Sequence, residues 1–282
     1  MRRICLFAAA TIAASIPTLA HAQNDGSQAA TVFDGNYLTV GIGGFYGPSY
    51  EGSDDYILFP APVIQGNLLG VAITPRPGGA ALDFIPDAKG AKIGFSLGPV
   101  ATYRRDRVSR IKDPVVQRLG KLKSAVEVGG TAGVTVYDLV TGYDSLTFSG
   151  DVRWDVAGAH KGMLYAPTVN YFTPVSKGAA INLAVTAEHV DRDYANYYYT
   201  VTPAGSLASG LPAFQAKAGW KNVGVNAIVG VDFDGDLTNG GLAAFVIGGY
   251  TKLLNDAKRT PITSIRGSSD QFLAGAGLAF TF

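Results

Sequence analysis

QFLAGAGLAFTF, residues Gln271 to Phe282, decides the fold. Every second residue counted back from the end, Phe282, Phe280, Leu278, Ala276, Ala274 and Phe272, forms an unbroken apolar face. Thr281, Gly277, Gly275 and Gln271 occupy the other face and are small or polar. A period of two with one oily side is the pattern of a strand between lipid and a polar interior. A strand of this kind ending on phenylalanine is expected to be recognised by the barrel assembly machinery, with Phe282, Phe280 and Leu278 as the assembly signal.

The opposite end agrees. Arg2 and Arg3 precede an apolar run from Ile4 to Leu19, and Ala20-His21-Ala22 gives a small-x-small cleavage site before Gln23. This predicts a secretory signal peptide over residues 1–22. Ser15 and Pro17 interrupt the run, which is short for a membrane anchor. The only cysteine, Cys5, lies inside it, so a mature chain would carry no thiol and no cysteine-based metal site. Loss of Arg2 and Arg3 moves the net charge from +1 to −1. No later stretch is long and apolar enough for a transmembrane helix.

Between these ends, alternation recurs over lengths that let a tilted strand cross a bilayer. In Tyr143–Val156 the residues Leu146, Phe148, Val152, Trp154 and Val156 share one face, and Ser145, Thr147, Ser149, Asp151, Arg153 and Asp155 the other. Similar patterns run through Asn36–Tyr46, Tyr56–Gln65, Lys92–Tyr103, Ser124–Tyr137, Met163–Thr173, Ala179–Val190, Ala213–Lys221, Val223–Phe233 and Leu242–Tyr250. Leu69–Thr74, Ala80–Ile85 and Pro261–Arg266 are shorter candidates. The expected fold is all-β: a transmembrane antiparallel up-and-down barrel over 36–282 with about 12 strands, 10 or 14 being the alternatives. A mobile tail is expected over 23–35. Gly66-Asn67, Lys221-Asn222 and Pro174–Gly178 read as tight periplasmic turns. Gly47–Asp55, Arg104–Lys123, Asp191–Leu211 and Asp234–Asn239 read as extracellular loops.

The chemistry-bearing residues fall into four groups. Glu127, Asp151, Arg153, Asp155, Glu188, Lys217 and Asp232 are candidate lumen charges, lining a channel or pairing within a filled interior. The segment Arg104–Lys123 holds eight cations against Asp106 and Asp113. Its Arg104, Arg105, Arg107 and Arg110, with Tyr197, Tyr198 and Tyr199 of the next long loop, are candidate outer-loop contacts for anionic partners, sugars or lipopolysaccharide. Those tyrosines would equally serve to plug the barrel mouth. Asp113 is placed to cap a short helix opening on Pro114. Asp232, Asp234 and Asp236 have the spacing of the first ligands of a calcium loop, but Leu237 and Ala243 stand where its glycine and bidentate glutamate belong. His160 and His189 have no serine at a spacing that suggests hydrolysis, and Glu188 and His189 point to opposite faces of a strand. No cofactor, metal or nucleic-acid motif is present.

Two internal stretches carry a family resemblance. GGFYGPSYEGSDDYILFPAPVI, from Gly43 to Ile64, and YYYTVTPAGSLASGLPAFQAKAG, from Tyr197 to Gly219, together with the terminal strand, resemble the MipA/OmpV family of outer-membrane proteins. The resemblance implies a non-enzymatic scaffold that brings a murein transglycosylase and a murein synthase together at the outer membrane. It supplies no catalytic residues. A small-solute channel and a surface adhesin are the alternatives. A scaffold needs a periplasmic surface, for which the tail at 23–35, Pro174–Gly178 and Lys252–Thr260 are the candidates.

Overall fold

The computed structural model describes residues 31–88 and 90–282; the expected signal peptide, with Cys5, lies outside them. Twelve strands run in chain order: β1 (Tyr37–Pro48), β2 (Tyr56–Leu68), β3 (Val71–Arg76), β4 (Gly79–Asp83), β5 (Ile93–Arg104), β6 (Ala125–Tyr137), β7 (Ser145–Asp155), β8 (Met163–Ser176), β9 (Ala179–Val190), β10 (Gly219–Asp232), β11 (Gly241–Leu253) and β12 (Asp270–Thr281). Each pairs antiparallel with its chain neighbours, and β1 closes the barrel on β12. Among the described residues no helix is long and apolar enough to cross a membrane.

The alternation seen in the sequence becomes the two faces of the wall. On β1, Val40, Ile42 and Tyr46 point out, whereas Phe45 is buried. On β12, Phe272, Leu278 and Phe280 are exposed on the outer face, as the terminal pattern requires, and Phe282 just beyond it is exposed too. Its inner face is glycine for a steric reason. A Cβ at Gly277 would lie 2.4 Å from the Phe245 ring, and one at Gly275 2.5 Å from the Phe45 ring. The small residues of β12 therefore make room for the packed Phe45, Phe59 and Phe245 rings, whose centroids lie 5.9 and 6.4 Å apart.

An even strand number puts the first and last strands' outer ends on one side, the periplasmic one by the rule that short turns face the periplasm. The connections there are 69–70, 84–92, 138–144, 177–178 and 233–240. The other end carries the long segments 49–55, 105–124, 156–162, 191–218 and 254–269. The helices α1 (Pro114–Gln117), α2 (Arg192–Tyr199), α3 (Pro203–Ser209), α4 (Asn255–Arg259) and α5 (Pro261–Ser264) all lie in these long segments.

Several expected boundaries change. Leu69–Thr74 and Ala80–Ile85 correspond to true strands, β3 and β4, but Pro261–Arg266 forms α5 because Pro261 suits a first helical turn. Ala213–Lys221 is no separate strand. Only Phe214 makes a bridge, to Val201, and Lys221 belongs to β10. Lys221-Asn222 is thus a bulge within β10, where the register against β9 shifts between Trp220 and Asn222. Gly66-Asn67 lies inside β2. The turn is Leu69-Gly70, with φ of 54° and 81°, the pair of positive angles a two-residue hairpin favours. Removing one supposed strand inverts every downstream side. Asp234–Asn239 is consequently periplasmic and Lys252–Thr260 extracellular.

Of the tail expected to be mobile, residues 31–35 are described and anchored. Val32–Asp34 forms a 3-10 turn, and the Val32 N–H donates to the Thr238 carbonyl at 2.8 Å.

Candidate functional site

The inward charges gather at the extracellular mouth, just beneath the long loops. Glu127 of β6 is fully buried and receives Arg104 Nε at 2.6 Å and the Thr102 hydroxyl at 3.0 Å. Arg153 Nη1 of β7 lies 3.7 Å from Glu127, and its Nη2 donates to Glu188 of β9 at 3.2 Å. Glu188 also takes Asn222 at 3.2 Å and pairs with Lys221. Lys221 reaches onward to Glu51, at 2.9 Å, in the loop after β1. Three carboxylates therefore meet three permanent cations across five strands and a loop, so the cluster is charge-balanced inside a low-dielectric wall.

The bulge in β10 explains how Lys221 takes part. Counted back from inward Asn222, strand alternation would send Lys221 outward. The extra residue lets Lys221 and Asn222 both point in, while Trp220 faces out against His189, ring centroids 5.4 Å apart. His160 closes the side of the cluster. The Gly162 N–H donates to its Nδ1 at 3.1 Å, and its Nε2 faces Glu127 at 3.4 Å.

Above the cluster lies a folded lid. Asp191 caps α2 by accepting the Tyr194 N–H at 2.9 Å. Tyr194, Tyr198 and Tyr199 from this helix pack with Leu164, Val190 and Leu253 from the barrel rim. The face of the Tyr194 ring meets Arg104 and Lys221, whose charges are 5.4 and 5.5 Å from its centroid. Burial and then the neighbouring Glu51 push the Tyr199 hydroxyl well up, so it remains a donor to that carboxylate. A second apolar group, Tyr50, Ile111, Val116, Val201, Leu211 and Ile262, joins four of the outer segments. Asp113 fastens it by accepting the Val115 and Val116 N–H groups, both at 2.8 Å, and by pairing with Arg266 at 2.6 Å. The described loop helices thus pack over the mouth through these two apolar groups.

Not every candidate belongs to this cluster. Asp151 sits deeper and pairs with Arg76 of β3 at 2.9 Å. Asp155 accepts the Ala157 and Lys161 N–H groups of the 156–162 turn, both at 2.9 Å. Asp232 holds the periplasmic turn by accepting from Asp234 and Gly235. With Asp234 accepting the Asp236 N–H and Asp236 the Thr238 N–H, these acids are consumed by backbone turns. Among the described residues no cluster of metal ligands is found. Lys217 is no lumen charge: it lies exposed in the segment before β10, because the strand expected to carry it inward does not form.

The outer-loop group divides as well. Arg104 is the last residue of β5 and turns into the ion cluster. Arg107 is buried and donates to the Tyr198 carbonyl at 2.7 Å, so neither it nor the buried Tyr198 and Tyr199 is presented to a partner. Tyr197 is half-buried, its hydroxyl receiving the Lys123 N–H at 2.7 Å. Arg105 and Arg110 remain exposed. Glu51, Thr102, Tyr194, His160 and Lys221 were not singled out by pattern as partners in one site. The one sequence sign of a lid is the tyrosine-rich loop holding Tyr194, for which a plug and a partner contact are equal readings.

The chain is loosely similar to several solved outer-membrane proteins. OmpT of Vibrio cholerae is 8% identical, with 88% of this chain and 97% of that one covered and a TM-score of 0.35. The Pseudomonas putida toluene transporter TodX is 8% identical over 88% and 89%, at 0.38. The outer-membrane channel DcaP of Acinetobacter baumannii is 10% identical over 88% and 96%, at 0.34. No curated protein matches it significantly. The family model for MltA-interacting protein MipA matches residues 40–282, nearly the whole described barrel, and the chain therefore belongs to the MipA family of outer-membrane barrel proteins.

Proposed function

We propose that this barrel is a non-enzymatic scaffold linking murein-remodelling enzymes at the outer membrane. The observation that carries the reading is the folded lid packed over the ion cluster. A lid held by two apolar groups and a charge-balanced cluster gives a rigid plug in place of a selectivity lining. The family description, an MltA-interacting protein, supplies the partner class.

The contact surface has to lie at the periplasmic end. The best-built part of that end joins segments 84–92 and 138–144, where Tyr137 donates to Asp87 at 2.5 Å and Lys92 pairs with Asp138 at 2.7 Å. Phe84, Leu139, Val140 and Tyr143 stand exposed around this pair of segments. Exposed apolar side chains with a charged border suit a protein partner.

Affinity capture under mild extraction tests this directly. The wild-type barrel is expected to retain a murein transglycosylase and a murein synthase, and Val140→Asp with Leu139→Asp to release them while the barrel stays assembled. Failure of the wild type to retain either enzyme would sink the scaffold reading.

A further inference from the structure

The barrel wall is thin at one place. β3 and β4 are short, so β2 is paired on that side only through Gly66–Leu68, whereas β4 meets β5 through Gly79–Ala81 with flanking backbone bonds at Gly78 and Phe84. Most of β2, from Tyr56 at its extracellular end to Gln65, therefore has one edge without a strand. Pro60 and Pro62 within it have no N–H to offer a neighbour, as befits an edge. The segment after β5 fills the vacancy: Arg110 Nη1 donates to the Leu58 carbonyl at 3.0 Å, standing in for the missing ladder bond. Arg110 is held for this in a left-handed backbone conformation, φ 58°.

What remains is a notch of about 500 Å³ in the outer wall, lined by Tyr46, Tyr56, Leu58, Arg110 and Lys112, among others. Its floor is lipid-facing. Leu58 is 68% exposed, and Tyr46 and Tyr56 stack with centroids 5.4 Å apart, at the level where aromatic side chains mark the headgroups. Its roof is cationic. Arg110 and Lys112 are exposed, and among the described residues neither has a carboxylate within ion-pair distance. Arg110 spends one donor on Leu58, leaving the rest of a guanidinium fork that suits phosphate oxygens.

We infer that this notch binds a phosphorylated lipid of the outer leaflet, its phosphates on Arg110 and Lys112 and an acyl chain along Leu58 and the tyrosine pair. Apolar floor and unpaired cationic roof match the two ends of such a lipid, and the notch opens to the membrane, not to the lumen. A second outer notch, of about 380 Å³ beside Trp220, is a weaker match because two of its cations are already paired, Lys252 with Asp270 and Arg259 with Asp256. The inference rests on the outer-membrane barrel alone and stands or falls independently of the scaffold reading.

Native mass spectrometry of the whole detergent-solubilised protein tests it, with bis-phosphorylated lipid A, its dephosphorylated form and inorganic phosphate as probes. Wild type is expected to hold lipid A at least tenfold more tightly than the dephosphorylated lipid. Lys112→Glu should lose most of that preference while keeping the Arg110–Leu58 bond, and Arg110→Glu should lose it fully. Arg118→Glu with Lys121→Glu, on exposed positions of the same segment outside the notch, should keep it. Heat-modifiable gel mobility verifies that each variant is a closed barrel. Equal retention by Lys112→Glu and wild type would overturn the inference. So would equal binding of the dephosphorylated lipid, or full competition by millimolar phosphate, which would mean an anion site without a lipid.

Discussion

Glu127 shows how much rests on one side chain. It is fully buried, and Arg104, Arg153, Thr102 and His160 all converge on it. Removing its charge strands cations that were desolvated to meet it, which typically costs 3–5 kcal/mol for a buried pair. Glu188 shares both arginines, at 3.6 and 3.2 Å, and so blunts the loss. Glu127→Gln is therefore expected to destabilise by about 3 kcal/mol, the lower end of that range. Urea titration in detergent, following tyrosine fluorescence, measures it. Asp113 gives the corresponding prediction for pH. Burial opposes its charge, but Arg266 and two helix N–H groups more than compensate and hold its carboxyl below the usual range. An unfolded aspartate titrates near 4, so the stabilisation is complete above about pH 4 and fades as pH falls through the lower folded-state value. The lid should loosen in acid before the barrel does. Asp113→Asn keeps the helix cap but not the ion pair, and should flatten this acid limb. Hydrogen exchange at Val115 and Val116 reads it out.

Strands whose faces alternate without interruption, such as β7 and β12, could be read from sequence because lipid and interior demand opposite chemistry at successive residues. Phe148 and Val152 accordingly belong to the outer face, and arginine at either should cost ~2–4 kcal/mol near the bilayer midplane, against little at inward Ser149. Equal tolerance at all three positions would contradict the assigned faces. β10 could not be read this way. Its bulge breaks the period at Lys221, so one strand resembled two with a turn between them. The spurious strand then put Asp234–Asn239 and Lys252–Thr260 on the wrong sides. The ion cluster was obscured for a related reason. Arg104 and Glu127 flank one hairpin, but Lys221 and Glu51 are 170 residues apart and meet only when the barrel closes. The bulge itself is testable. Lys221 has no partner in the β9 register, so its deletion should leave Trp220 outward and Asn222 inward and restore regular pairing. The expected outcome is a closed barrel on a gel with segment 191–218 newly sensitive to protease. Failure to close would show that the bulge also shapes the wall.

At the scale of the whole molecule, the closed ring and the plugged mouth have different physical origins and should separate by experiment. Closure comes from twelve strands pairing in sequence and from the β1–β12 seam, whose glycines admit the Phe45 and Phe245 rings. The plug comes from loops of high sequence separation that gain stability only once those strands have placed Glu127, Glu188 and Lys221 beneath them. Wild-type protein in a planar bilayer is therefore expected to show no stable single-channel steps. Replacing residues 192–209, which include α2 and α3, by a short glycine-serine linker removes Tyr194, Tyr198 and Tyr199 but no strand. The cluster would then face water, where ion pairs are far weaker than in a dry interior, and its side chains would separate. Conductance should appear in that variant, be cation- or anion-biased according to which of the six charges face the opening, and fall when Glu127 and Glu188 are neutralised together. Steady conductance by the wild type would contradict the sealed mouth and favour a solute channel. A silent lid-less barrel would instead place the seal lower, at Arg76–Asp151 and the phenylalanine rings, and would leave the α2 tyrosines as packing for the rim.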